Sequence, residues 1–233
     1  MHLSTSFLVS LGAAVTTISG ALTSVTDFCD NPTGFELNVN VPANLTQKPA
    51  IISRCSGEAY ATQTTYITLS EQRGIFTILT SSKRDSNCRE VNTAKGLSRN
   101  AGGDNQGLIS MVFVTGSSSS YMMTNVLIST YPDVFVAAWC YPGVAAGCVA
   151  GTPGASPISP DGECAKCTVK AMLSGYSGMY PKLATWHGTV DTLVKLPNLG
   201  EELKQCKLVK YKARDLGHTV PVQEAEDLTW FGL

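Results

Sequence analysis

The sequence predicts an α/β fold, a mostly parallel sheet covered by helices on both faces. Three observations predict it. Short strand-like apolar runs alternate with longer amphipathic stretches, the order in which each strand is followed by a crossover helix. No internal repeat and no domain linker interrupts that alternation. The 233 residues are 43% hydrophobic and only 15% charged, enough to build one sizeable core.

The elements follow in order. Phe35, Leu37, Val39 and Val41 alternate with polar residues, which predicts a half-buried edge strand over 35–41. Residues 50–52 read as a short buried strand, 59–73 as a helix and 75–79 as the next strand. Residues 112–115 form an apolar strand that ends in Gly116, and an amphipathic segment over 121–131 follows. Residues 134–141 read as a strand. The stretch 142–167, rich in Gly, Pro and Ser, reads as a long loop. A strand from Lys182, a helix over 200–207, a strand over 208–213 and a terminal helix over 222–230 complete the pattern. One crossover departs from it. Residues 81–110 are Ser-, Asn-, Arg- and Gly-rich with scattered apolar positions, so the helix before the 112–115 strand is expected to be missing and the sheet face beside it poorly covered.

The run Val112-Phe113-Val114-Thr115-Gly116-Ser117-Ser118-Ser119-Ser120 is the strand–turn–helix setting of a G-x-S-x-G nucleophile turn, with Ser120 in place of the last Gly. Two later motifs strengthen it. Trp186-His187-Gly188-Thr189-Val190-Asp191 and Leu216-Gly217-His218-Thr219-Val220-Pro221 each follow a strand-like run. The candidate order Ser118, Asp191, His218 is that of α/β-hydrolases. Of the three His residues, His2 lies in a leader segment, and His187 reads as a structural residue of the turn that presents Asp191. His218 remains as the general base.

Residues 3–22 carry no charged side chain, which reads as a signal peptide over 1–21 ahead of a single domain over 22–233. Secretion makes the even count of eight Cys (Cys29, Cys55, Cys88, Cys140, Cys148, Cys164, Cys167 and Cys206) a disulfide signal. The Cys164–Cys167 pair has CxxC spacing, but no second CxxC and no nearby His accompany it, so it reads as structural. Asn44-Leu45-Thr46 is an N-glycosylation sequon. The net charge of −1 suggests neither a nucleic-acid partner nor an anionic membrane. No metal and no cofactor is expected.

The chain resembles carbohydrate esterase family 1, the acetyl xylan esterases and feruloyl esterases, which themselves resemble poly-hydroxybutyrate depolymerase-type esterases. The matching stretches are Asp30-Asn31-Pro32-Thr33, residues 112–126 and 131–135, Gly143-Val144-Ala145-Ala146-Gly147-Cys148, Gly175-Tyr176-Ser177-Gly178, residues 187–191 and residues 217–232. They run in the family's order along nearly the whole mature chain. The resemblance implies an α/β-hydrolase fold with Ser118 as nucleophile, Asp191 as acid and His218 as base. It implies oxyanion donors at the Ser119 N–H and near Cys55, with disulfides Cys55–Cys88 and Cys148–Cys164. The chain departs from the family at Ser53, Arg54 and Arg89, and it is shortened before the nucleophile strand and between Asp191 and His218. The implied protein is a secreted, monomeric serine esterase acting on an acylated polysaccharide such as xylan. The alternatives are a catalytically impaired, polysaccharide-binding relative and the product of a truncated gene.

Overall fold

The computed structural model describes residues 22–26, 31, 33–45, 51–54, 61–82, 91–107, 113–150, 153–159, 172–205 and 208–233. Among these, eight strands form one sheet: β1 (Thr23–Val25), β2 (Glu36–Asn40), β3 (Ile51–Arg54), β4 (Phe76–Ser81), β5 (Phe113–Gly116), β6 (Ala137–Cys140), β7 (Lys182–Gly188) and β8 (Leu208–Ala213). The helices are α1 (Tyr66–Arg73), which a helical turn over 61–63 precedes, α2 (Asp104–Gly107), α3 (Ser119–Thr130), α4 (Pro197–Gln205) and α5 (Glu224–Phe231).

The sheet runs β1-β2-β4-β3-β5-β6-β7-β8. The pairs from β4 through β8 are all parallel, and β1 and β2 add two antiparallel pairings at one side. This is the α/β-hydrolase architecture. The period of two sorts the central strands onto two faces. Val114, Ala138, Cys140 and Leu183 point into the core beneath α3. Phe113, Ala137, Trp139 and Ala184 point the other way, onto α1 and α5 through Tyr66, Leu228 and Phe231.

Two expectations need correction. The strand over 35–41 is not an edge strand, because β1 pairs along it with Thr23 opposite Val39 and Val25 opposite Leu37. The strand expected over 134–141 starts only at Ala137, since Tyr131–Val134 closes a turn through the Val134 N–H and the Tyr131 carbonyl at 3.0 Å.

The crossover from β4 to β5 holds only the single turn of α2 among its described residues, as the polar composition predicts. Among the described residues, β5, beside which a bare face is expected, is buried throughout, and so is every residue of α3 from Ser120 to Thr130. The described residues of the crossover lie on the far end of that helix and make polar contacts. Arg99 pairs with Asp133 through two bonds of 2.7 and 3.0 Å. The Tyr131 hydroxyl donates to Asn100 Oδ1 at 3.0 Å and accepts the Asn100 N–H at 2.9 Å. Asn105, fully buried, donates to the Ser98 carbonyl at 3.0 Å. Over the described residues of the crossover, side-chain hydrogen bonds and two apolar anchors, Val91 and Leu97, hold it against the core.

Candidate active site

The candidate residues come from three strand ends at one edge of the sheet. Ser118 follows β5, Asp191 follows β7 and His218 follows β8. Because these strands are parallel, all three loops leave at the carboxyl edge, where open α/β sheets bind ligands.

Ser118 has φ 56° and ψ −125°, a combination that a non-Gly residue adopts only where its surroundings over-determine it. Those surroundings are visible. The Ser118 N–H donates to the Pro142 carbonyl at 2.9 Å, and the Tyr141 N–H donates to the Gly116 carbonyl at 2.9 Å, so the loop after β6 grips the turn on both sides. A Cβ on Gly116 would lie 2.5 Å from the backbone carbonyl group of Ser120, which is why the turn begins with Gly. Ser120 replaces the motif's last Gly and is accommodated with its side chain buried. Ser119 is the first residue of α3, so its N–H is among those at a helix N-terminus with no partner within the helix. β3, whose following loop was expected to supply the second donor, lies beside β5 with Arg54 opposite Thr115. Cys55 itself lies outside the described residues.

Asp191 and His218 meet. His218 Nδ1 stands 2.8 Å from Asp191 Oδ2, with the carboxylate fully enclosed and the imidazole one-fifth exposed. A carboxylate only accepts, so this bond carries its proton on Nδ1. The other carboxylate oxygen, Asp191 Oδ1, accepts the Leu193 and Val194 N–H groups, each at 2.9 Å. Both oxygens are thereby fixed.

Two residues that sequence reasoning treated as bland set this geometry. His187 is buried at the end of β7, and its Nε2 donates to the Val194 carbonyl at 2.9 Å, bracing the same turn whose N–H groups hold Asp191. Burial pushes its imidazole below the usual range, which keeps the ring neutral. Gly188 allows the His218 loop to lie against β7, since a Cβ there would be 2.1 Å from the Gly217 carbonyl oxygen. The two loops are stitched by Val190 N–H to the Leu216 carbonyl at 3.0 Å, Thr189 N–H to the Ala213 carbonyl at 3.0 Å, and Asp215 N–H to Thr189 Oγ1 at 2.8 Å. The Gly after His187 was the available signal.

Asn44 is exposed, while Thr46 of its sequon lies outside the described residues. Cys148 belongs to a disulfide, and Cys140 is a buried thiol on β6. Cys88 and Cys164, expected in the two bridges, lie outside the described residues. Among the described residues no helix is long and apolar enough to cross a membrane.

No family model matches the chain. Individual relatives do. Acetylxylan esterase A of Aspergillus ficuum is 34% identical over an alignment that covers 100% of this chain and 97% of the relative. The chain belongs to the acetyl xylan esterase and feruloyl esterase family. Feruloyl esterase B of Talaromyces stipitatus is 31% identical, covering 94% of this chain and 77% of the relative. A solved structure, the acetyl xylan esterase from Aspergillus awamori, superposes with a TM-score of 0.80 at 32% identity, covering 91% of this chain and 99% of that one. An S-formylglutathione hydrolase from Agrobacterium tumefaciens shares the fold at TM-score 0.52 and 11% identity, over 90% of both chains. The alignment to the Aspergillus ficuum relative runs over 299 positions against 233 residues here, so that relative carries internal stretches this member of the family lacks.

Proposed function

We propose that the protein is a secreted serine esterase that removes acetyl or feruloyl groups from xylan. The observation that carries the proposal is the enclosed Asp191–His218 pair at 2.8 Å, on the edge where the strained Ser118 turn emerges. Its relatives are carboxylic ester hydrolases by name, which supplies the substrate class.

In the proposed mechanism, His218 Nε2 takes the Ser118 hydroxyl proton as Oγ attacks the ester carbonyl. Asp191 fixes the tautomer and stabilises the imidazolium. The Ser119 N–H and a second donor from the loop after β3 stabilise the oxyanion, each donor being worth about 10²–10³ in kcat in characterised serine hydrolases. His218 then protonates the leaving sugar oxygen. Water hydrolyses the acyl-enzyme by the same relay, releasing acetate or ferulate and restoring Ser118.

Incubation with a fluorophosphonate probe tests the reading. Labelling of the protein but not of Ser118→Ala, together with acid release from acetylated xylan, is expected. Absence of labelling in folded protein would overturn it. The internal stretches missing relative to the Aspergillus ficuum esterase favour a second reading, a polysaccharide-binding relative without turnover. Sedimentation with insoluble xylan and no labelling would select that reading. Secretion with cleavage after residue 21 is tested by N-terminal sequencing of protein from the culture medium.

A further inference from the structure

One buried acid is not used by the mechanism. Glu202 lies on α4, 1% exposed, where a helix of this composition would normally turn its carboxylates to water. Its Oε2 accepts from Asn125 Nδ2 at 2.9 Å, and the Tyr121 hydroxyl is its other close neighbour. Both partners belong to α3, the helix that starts at the nucleophile turn, and Tyr121 is fully buried one turn below Ser118.

These contacts lead back to Ser118 by a short route. Asn125 Nδ2 also donates to the Val144 carbonyl at 3.2 Å. The Tyr121 ring fills the space above Gly143, where a Cβ would be 1.9 Å from Tyr121 Cδ1. The residue before Gly143 is Pro142, whose carbonyl receives the Ser118 N–H. The loop 142–144 is therefore held against α3 at three successive points, and Glu202 supports two of them from beneath.

Resting on the serine esterase reading above, we propose that Glu202 is a positioning residue for Ser118. Its carboxyl holds Asn125 and Tyr121 against the 142–144 loop; ionisation strengthens the Asn125 bond but leaves an uncompensated charge in the core, which opens the α4–α3 contact, loosens that loop and lowers turnover at alkaline pH. The surroundings supply no compensating charge. From α3 the group meets Tyr121 and Asn125, and beyond Tyr121 lie the Cys140 thiol of β6 and Thr185 of β7. On α4 itself, Lys204 is turned outward and paired with Glu201 at 2.7 Å. Among the described residues no cation reaches the Glu202 carboxyl. Burial accordingly pushes it up to about 8, so it is mostly protonated at neutral pH. Tyr121 is pushed well above its ordinary value, chiefly by burial, and stays neutral through the same range.

The test is the pH profile of kcat and KM on 4-nitrophenyl acetate, with spontaneous hydrolysis subtracted, for the full-length protein, E202Q and Ser118→Ala. The wild type is expected to lose kcat above about pH 8, approaching tenfold per pH unit, with KM changing less than twofold. E202Q, which keeps the shape and cannot ionise, is expected to move that limb upward by at least one pH unit. A purely structural carboxyl would change the level of the profile and not its shape. An E202Q profile with the wild-type alkaline limb overturns the proposal, and so does a wild type with no limb near pH 8, which keeps the test decisive even if E202Q does not fold. Ser118→Ala separates the two failures. If it is as active as wild type, the esterase reading fails first. If it is inactive and E202Q keeps the limb, only the Glu202 assignment fails.

Discussion

Replacing Gly188 by Ala adds one methyl group and no charge, yet it should cripple the enzyme. The new Cβ would stand 2.1 Å from the Gly217 oxygen and 2.4 Å from the Leu216 oxygen, both backbone atoms that cannot rotate away. Reaching even 3.0 Å, the lower limit for such contacts, requires the Gly217 carbonyl to retreat by about 0.9 Å, and a misplacement of about 1 Å in a catalytic group costs roughly 10²-fold. The next residue is His218, so the shift is delivered directly to the 2.8 Å bond with Asp191. The loop cannot yield without cost, because the Val190–Leu216 and Asp215–Thr189 bonds hold it to β7.

Overpacking of this kind costs about 1–3 kcal/mol. For a domain of this length each kcal/mol lowers Tm by roughly 2–4 °C. The expected outcome is therefore a roughly 100-fold fall in kcat on an acetyl ester, a smaller change in KM, and a Tm lower by several degrees in a circular-dichroism melt. A G188A protein with kcat within twofold of wild type would refute the argument that this Gly sets the His218–Asp191 geometry.

Three further outcomes are expected. Asp191→Asn keeps the fold but presents the wrong hydrogen-bonding group to Nδ1, and kcat should fall about 10⁴-fold; a loss under tenfold would remove Asp191 from the relay. Gly200→Ala, in the interior of α4 with open space where its Cβ would go, should raise stability by about 0.5–1 kcal/mol, and a lower Tm would count against the helix assignment there. Stability should also depend on pH in two opposing ways. Glu202 titrates higher in the folded chain than in the unfolded one, so its contribution is full below about 4.5 and is lost as pH rises to about 8. His187 titrates lower when folded, so its contribution is full above about 6.5 and is lost as pH falls. Urea midpoints in the E202Q background should therefore fall on acidification, and adding H187Q should flatten that fall; an unchanged slope would reject His187 as its source.

What the sequence made legible follows from which interactions leave a local signature. β8 was read over its observed span, because a strand of this length bounded by turn residues carries its own pattern. β1 was missed: three residues with two exposed have no period to detect, and its pairing is decided by β2. The strained turn at Ser118 and the meeting of the Asp191 and His218 loops were legible because strand-end loops need small residues in fixed places. The covering of α3 was not. An amphipathic helix announces itself by spacing, whereas Arg99–Asp133, Asn100–Tyr131 and Asn105–Thr130 are pairings between segments that carry no period at all. Glu202 is the extreme case. In sequence it is one acid in a run of Glu and Lys that reads as a solvated helix face. Only the packing of α4 on α3 turns that carboxyl inward, onto Asn125 of the helix that starts at Ser118.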